Sequence, residues 1–502
     1  MRKAIYLILI LILIFPLMRA SSFAEGAAPL SLSYSGGTGS GQSKSDFDQN
    51  IWTYEYQYHV LSLSGDLPMG KLSSQLQVEE SNNVSELTYA RIKLAADTYS
   101  LDLGDNVMNF SDLTLNNVAY QGAAVTLKPS SNISVTAVSG ARGNGSWGAT
   151  VLRDTRPKDY FSGVKGVFSP AAGLGLSATY LTNPKGDQVT SYGGAFDLGN
   201  LQFAAESGTA KDGKAVSESV KYSDGLLTMG TVYRDIDPTY TVPVDYMNYK
   251  GVKGTYSNLG FNPSRNFSIN LQSNSYIDRL NGTLEATNVD TSGDIICNLD
   301  TGTTIGYSGW RNDDRAYERG GITEGEMMYI TQQFWLLTRN SVYFRQQPSW
   351  FQSFNASEES YSENKNIAGI NISLFDLIHL NYEVENTEKF LKSTDITINP
   401  TAISMRMDLF ESQIPNTPFS LASSFNYRKD IPDKYATDAE DSASISSYGD
   451  ATLKFAPSPD MSCYVTAKIF DLSSPDVTQS ARMENDLSFG MNYTFNTNIY
   501  MK

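Results

Sequence analysis

Apolar and polar residues alternate with a period of two along most of the chain. The pattern is clear at residues 267–271, 378–384, 403–409 and 487–495, where Leu, Ile, Met, Val and aromatic residues take every second position. Successive side chains of a β-strand point to opposite faces, so this period is typical of strands with one apolar face. Helical spacing is nearly absent after the N-terminal segment. The chain is therefore predicted to be all-β.

The alternating segments are about nine to eleven residues long, which exceeds the usual strand and matches a tilted strand crossing a bilayer. A soluble chain of 502 residues should divide into domains with visible linkers, and the sequence shows no such linker. We therefore predict one large transmembrane antiparallel up-and-down β-barrel over residues 25–502. At roughly 20 residues per strand and connection, it should contain about 22 strands, within a range of about 18 to 24.

The N-terminus has the pattern of a secretory signal peptide. Arg2 and Lys3 precede an apolar stretch at 4–18, and Ser22-Phe23-Ala24 is a small-x-small cleavage pattern. The apolar stretch is too short to span a bilayer as a helix, so we predict that residues 1–24 are removed. The alternative is an N-terminal anchor helix.

The net charge argues against nucleic acid as a partner. The chain carries 38 Lys and Arg against 54 Asp and Glu, and removal of the signal peptide with its three basic residues leaves a net charge of −19. Phosphate binding requires clustered cations. Aromatic residues make up 12% of the chain and charged residues 18%, which fits a sheet with one lipid-facing side.

Short turns alternate with long polar connections. Strand, Pro-containing turn and strand follow one another around 122–129, 163–170 and 449–457. The longer polar stretches lie at 235–245, 311–324, 355–365 and 429–446. Pro belongs in such turns because it cannot donate to a strand ladder. Tight turns at one rim and long loops at the other are expected for an outer-membrane barrel.

The C-terminal segment SFGMNYTF at 488–495 resembles the insertion signal of Gram-negative outer-membrane β-barrel proteins. The residues that carry this resemblance are Ser488, Gly490, Tyr493 and Phe495. The resemblance implies an outer-membrane location and recognition of the last strand by the barrel assembly machinery. Family members usually end at the final aromatic residue, whereas residues 496–502 follow it in this chain. A second segment, LGDNVMNFSDLTLNNVAYQG at 103–122, is similar to early barrel strands of fimbrial ushers.

The alternation also predicts which side chains line the lumen. We expect six polar residues to point inward and to set selectivity by pore electrostatics, namely His379, Asn381, Glu383, Arg406, Asp408 and Lys468. The alternative is that these residues only solvate the inner wall.

The segment 327–354 is the most aromatic part of the chain. We expect five of its residues to form an aromatic girdle at the membrane interfaces, namely Trp335, Tyr343, Phe344, Trp350 and Phe351. The alternative is an aromatic slide for sugars inside the lumen.

No sequence motif points to an enzyme. The chain has only two His, at 59 and 379, and it lacks HExxH, P-loop and GxSxG motifs. No catalytic residue, cofactor or metal site is therefore predicted. The expected function is a porin-like channel for passive or weakly selective diffusion. Two alternatives remain: a non-conducting barrel that sheathes or scaffolds a periplasmic partner, and a secretion or assembly translocon. We expect a monomer in outer-membrane lipid.

Overall fold

The computed structural model describes residues 30–45, 51–67, 69–81, 84–142, 160–244, 250–279, 286–314, 321–336, 338–354, 360–374, 377–414, 416–432, 444–473 and 482–499. The predicted signal peptide, residues 1–24, lies outside the described residues. No helix in the described part of the chain is long and apolar enough to cross a membrane.

The described chain forms 27 strands in one antiparallel sheet. The strands are β1 Leu30–Ser45, β2 Ile51–Leu67, β3 Gly70–Ser81, β4 Val84–Ala95, β5 Tyr99–Met108, β6 Val118–Ser130, β7 Ile133–Arg142, β8 Tyr160–Ala171, β9 Leu174–Thr182, β10 Gln188–Asp197, β11 Leu201–Ala210, β12 Lys214–Ser223, β13 Leu227–Ile236, β14 Val252–Ser264, β15 Phe267–Asp278, β16 Ala286–Asn298, β17 Thr303–Asp314, β18 Gly321–Leu336, β19 Thr338–Ser353, β20 Tyr361–Leu374, β21 Ile378–Leu391, β22 Ile396–Ile398, β23 Thr401–Gln413, β24 Phe419–Ile431, β25 Ser444–Ser458, β26 Met461–Ser473 and β27 Arg482–Ile499.

The sheet closes on itself. The first strand, β1, pairs with β27 over sixteen residues, from Leu30 opposite Ile499 to Ser45 opposite Glu484. Every other neighbour in the barrel wall is the next strand along the chain, and the short strand β22 pairs only with the end of β21. The wall is therefore an up-and-down barrel of 26 strands. The predicted fold class is confirmed.

The wall contains more strands than the 22 expected from the sequence. Leu30 to Ile499 divides into about 18 residues per wall strand with its connection. The assumed spacing of roughly 20 residues was too long, because β7 and β9 to β13 are only nine or ten residues each. In a 26-stranded barrel of circular section, with ordinary strand spacing and tilt, the backbone would be about 50 Å across.

Four short turns share one local design. A proline lies beside the turn, and the strand register shifts around it, at Pro129, Pro170, Pro263 and Pro457. A β-bulge leaves one residue outside the ladder, and proline tolerates that position because it has no N–H to donate. The connections at the rim that holds the start of β1 are short, such as Ala172-Gly173. Most connections at the opposite rim are longer, although residues 211–213 form a short one there.

The two faces of the wall differ in chemistry. Outward side chains follow one parity around the barrel, as in the cross-strand series Phe261, Ile269, Ile295, Tyr307 and Met328. Most large apolar side chains of this parity are strongly exposed, and they include Ile295, Tyr307 and Met328. The opposite parity is mostly Ser, Thr, Asn, Gly and charged residues. An apolar exterior and a polar interior are the arrangement of a barrel in a bilayer.

The apolar exterior covers only the half of the wall next to the short turns. On β15, outward Ile269 and Leu271 are followed towards the long loops by Ser273 and Ser275. Strands β2, β14, β18, β20 and β21 show the same change from apolar to polar outward residues. The half next to the long loops therefore forms a polar collar, which we place outside the acyl-chain region.

Candidate lumen lining and lumen cap

Two connections fold back onto the inner wall near the long-loop rim. They are residues 109–117, between β5 and β6, and residues 237–244, between β13 and β14. We call this pair of segments the lumen cap. Their contacts are with residues of inward parity, since Leu181 and Val189 are fully buried while the outward Tyr180 and Tyr192 are 42% and 66% exposed.

An apolar cluster holds the lumen cap to the wall. Leu113, Leu115 and Tyr240 are fully buried, and they belong to one cluster with wall residues of β5 to β13. Full burial of a Leu side chain contributes about 1.5–3 kcal/mol, so these residues fix the segments against the wall. Tyr120 and Phe161 contact each other edge to face within this cluster, with ring centroids 5.7 Å apart.

Polar contacts join the two segments of the lumen cap to each other and to the wall. The Tyr240 hydroxyl donates to the Leu113 carbonyl at 2.9 Å. The Lys165 ammonium donates to the Phe110 carbonyl, and the Asn183 amide donates to the Pro243 carbonyl at 3.1 Å. Burial raises the pKa of Tyr240, and the carboxylate of Glu206 acts in the same direction. The neutral phenol is therefore strongly favoured.

The structure brings five of the six predicted lumen residues together on adjacent strands. His379 pairs in register with Asp408 and Asn381 with Arg406, and all four side chains have inward parity. Glu383 lies on the same face of β21. Lys468 is also inward, but it lies on β26, opposite Asp450 and Asp486.

Hydrogen bonds link these lumen residues to strands β19 and β20. Glu383 accepts from the Tyr343 hydroxyl at 2.7 Å and from the Arg345 guanidinium at 2.5 Å. Asn381 donates to Asn371 at 2.6 Å and to the Tyr343 hydroxyl at 3.0 Å. The result is a connected polar network along the inner wall, in which the charges of Arg345 and Glu383 are paired.

His379 and Ser373 have the atoms of a base and a nucleophile. The Ser373 hydroxyl lies 3.2 Å from His379 Nε2. However, Ser373 is only 7% exposed, and its backbone N–H donates to Asn340 at 2.6 Å. Both side chains belong to the polar network of the inner wall, and we assign the pair to that lumen network.

The predicted aromatic girdle divides between the two faces. Phe344 and Trp350 are outward and 45% and 38% exposed, and Trp335 is 81% exposed next to the turn after β18. Tyr343 and Phe351 have inward parity and line the lumen. Neighbouring residues of one strand must point to opposite faces, so 343 and 344 cannot both face lipid.

The residues of the predicted insertion signal alternate within β27. Ser488 and Gly490 face the lumen, and Tyr493 and Phe495 face outward. The outward Tyr493 hydroxyl oxygen lies 3.3 Å from the Tyr34 hydroxyl oxygen and 3.4 Å from His59 Nδ1, across the closing seam. The strand continues to Ile499, where it pairs with Leu30.

In the described residues, no group of three or more His, Cys, Asp or Glu side chains is placed to hold a metal ion. Cys297 and Cys463 are both free thiols.

A closed antiparallel barrel with an apolar exterior and a polar, bonded lumen defines the class of transmembrane β-barrels. Solved structures of similar fold are outer-membrane β-barrels. The chain is similar to the translocation pore of the P pilus usher PapC, with 11% identity, 94% of this chain and 100% of that chain covered, and a TM-score of 0.40.

It is also similar to a chain of the E. coli P pilus tip assembly intermediate PapC-PapD-PapK-PapG, at 14% identity and a TM-score of 0.48, over 95% of this chain and 62% of that one. For OccD3 (OpdP) of Pseudomonas aeruginosa the identity is 11% and the TM-score 0.30, over 94% and 93% of the two chains. The sequence matches no protein-family model and no curated protein. The likeness is one of fold.

Proposed function

We propose that the chain is an outer-membrane channel for passive, weakly selective diffusion of small solutes. The observation that carries this proposal is the difference between the two faces of the wall. The lumen face is polar along β14 to β27, while the outward face is apolar in the half next to the short turns. A wall of this kind separates lipid from water.

Paired charges support weak rather than strong selectivity. Arg345 pairs with Glu383 at 2.5 Å, Arg406 with Asp408 at 2.7 Å and Arg91 with Asp102 at 2.9 Å, and all three pairs have inward parity. A ring of paired charges produces a smaller field in the lumen than a ring of one sign. We propose that His379, Asn381 and Lys468 contribute hydrogen bonds and local charge to the same lining.

The lumen cap narrows one sector of the lumen near the long-loop rim. Single-channel recording in a planar bilayer tests the proposal. We expect stable conductance steps from the full chain, and larger steps after residues 110–116 are replaced by a Gly-Ser linker of equal length. If both proteins are shown by heat-modifiable mobility to be folded and neither conducts, the channel function is overturned.

One observation favours a second function. A backbone diameter of about 50 Å exceeds what small solutes need, and natural barrels of 22 strands are already plugged. The barrel would then act as a sheath or scaffold for a folded periplasmic partner. A silent barrel that co-purifies in fixed stoichiometry with such a partner supports this function over the channel.

The last strand, β27, is the element through which we propose that the chain is inserted into the membrane. We propose that the barrel assembly machinery binds β27 through Tyr493 and Phe495, whose side chains face outward. Because closure is complete within one chain, we propose a monomer surrounded by outer-membrane lipid.

A further inference from the structure

Three aromatic side chains lie on the lumen face of consecutive strands. They are Trp310 on β17, Tyr329 on β18 and Tyr343 on β19, and all have inward parity. We call these three residues the ring track. They pass from the long-loop half of the wall at Trp310 to the short-turn half at Tyr343.

Each ring of the track covers a glycine on a neighbouring strand. A methyl group added to Gly325 would clash with the Trp310 ring, one added to Gly306 with Tyr329, and one added to Gly369 with Tyr343. Each ring therefore packs one face against the backbone of the wall. All three residues are half-buried rather than fully covered, and the Arg345 guanidinium lies over the Tyr343 ring at 5.1 Å from its centroid.

Hydrogen-bonding side chains surround the ring track. The Tyr343 hydroxyl is bonded to Glu383 and Asn381. Trp310 pairs in register with Ser292 of β16. Two residues nearer the short turns, Asp294 of β16 accepts a 2.9 Å hydrogen bond from the Asn270 amide of β15. Amides and hydroxyls of this kind both donate and accept, and carboxylates accept.

The track ends beside a lumen pocket of about 450 Å³. Its lining includes Asn340, Ser341, Asn371, Ser373, His379 and Asn381. Pockets of roughly 300–1,000 Å³ are the size of ordinary small-ligand sites. Amide and hydroxyl groups predominate, and the two charged residues of the lining, Arg339 and Asp408, are of opposite sign. The pocket therefore favours a neutral polar solute.

We propose that the ring track and its pocket bind neutral linear oligosaccharides, an inference that rests on the proposed channel function. A pyranose ring has an apolar C–H face that can lie on an aromatic ring, and its hydroxyls both donate and accept. Trp310 pairs with Gly325, four residues from Tyr329, which is about 13 Å along the strand, so separate sugars of one linear chain would contact the two rings. The lumen side chains would exchange hydrogen bonds with the sugar hydroxyls in place of water.

Direct binding to the purified full-length barrel in detergent tests this inference. The probes are maltohexaose, cellohexaose and chitohexaose, measured by isothermal titration calorimetry. We expect at least one probe to bind, and Tyr329→Leu to weaken its affinity about tenfold. Tyr329→Phe keeps the ring and should retain affinity within about twofold.

Tyr464→Leu is the matched control. The Tyr464 ring lies on the lumen face of β26 and covers Gly490 of β27, away from the track. We expect this variant to bind the sugar like the wild type. Should both leucine variants bind like the wild type, the rings only fill the gaps above glycines and the proposal fails.

Failure of the inference is distinguishable from failure of the channel function. A barrel that conducts ions but binds none of the three hexasaccharides overturns the sugar site and leaves the channel intact. A barrel without conductance overturns the proposed function, whatever it binds. Equal loss of affinity in Tyr329→Leu and Tyr464→Leu also contradicts the track, because the effect would then not depend on its location.

Discussion

The Tyr240 hydroxyl donates a 2.9 Å hydrogen bond to the carbonyl of Leu113, a residue 127 positions earlier in the chain. Both residues are fully buried. They belong to two connections, one before β6 and one after β13, which are separated along the chain by the eight strands β6 to β13. This contact joins the two segments of the lumen cap, so the cap acts as one unit.

Substitution of Tyr240 should loosen the cap in two steps. Tyr240→Phe removes only the hydrogen bond and should lower the free energy of unfolding by about 1 kcal/mol, partly because the Leu113 carbonyl loses its donor. Tyr240→Ala also removes the ring and should lower the free energy of unfolding by about 3–5 kcal/mol. Single-channel current should be noisier in the alanine variant. The outward and exposed Tyr192→Ala is the control, and equal effects from Tyr192→Ala and Tyr240→Ala would contradict the cap.

The buried phenol also makes the cap sensitive to alkaline pH. Burial raises the pKa of Tyr240 above its unfolded value of about 10. The neutral form therefore stabilises the cap fully below that pH, and the stability is lost as pH rises through the folded pKa. The difference in phenolate absorbance between wild type and Tyr240→Phe should show one tyrosine that ionises late. Ionisation of that tyrosine near pH 10 would mean that the phenol is not buried.

Removal of the Glu383 charge should change ion selectivity. In the wild type the Arg345 guanidinium lies 2.5 Å from the Glu383 carboxylate. Glu383→Gln removes that negative charge, so the positive charge of Arg345 in the lumen is no longer balanced. The reversal potential in a KCl gradient should move towards anion selectivity. Glu388→Gln is the matched control, because Glu388 has outward parity on the same strand. An unchanged reversal potential in Glu383→Gln alongside normal conductance would place Glu383 away from the ion path.

Loss of the last strand should prevent assembly. Truncation before Leu487 removes most of β27, and with it most of the pairing with β1 and β26. Open edges expose unpaired backbone groups to lipid, at a cost of several kcal/mol per group. Truncation after Ile499 is the control. Heat-modifiable mobility of outer-membrane fractions is the measurement, and a folded protein from the shorter chain would contradict the insertion signal.

The period-two pattern predicted the barrel. The structure gives inward parity to five of the residues that alternation marked as lumen candidates, namely His379, Asn381, Glu383, Arg406 and Asp408. The strand count was too low because the hairpins of β9 to β13 are shorter than the assumed repeat. Strand length is set by hydrogen-bond pairing as well as by hydropathy.

The lumen cap could not be predicted from the sequence. Phe110, Leu113 and Leu115 form an apolar stretch between two strands, and periodicity does not tell whether such a connection turns inward or away from the barrel. Burial against Phe161 and Leu181 decides it, and those contacts are distant in sequence. Similarly, Tyr343 and Phe351 were placed in a girdle by composition alone, whereas strand geometry places them opposite their neighbours Phe344 and Trp350.

Water access to three consecutive residues of β15 tests the central claim most directly. In a background with Cys297→Ser and Cys463→Ser, single cysteines are placed at Asn270, Leu271 and Gln272 and treated with a membrane-impermeant maleimide in proteoliposomes. The structure assigns Asn270 and Gln272 to the lumen and Leu271, which is 50% exposed on the outer wall, to lipid. We predict rapid labelling at 270 and 272 and very slow labelling at 271. Rapid labelling at 271 with protection at 270 and 272 would contradict the assignment of the two faces, and with it the channel.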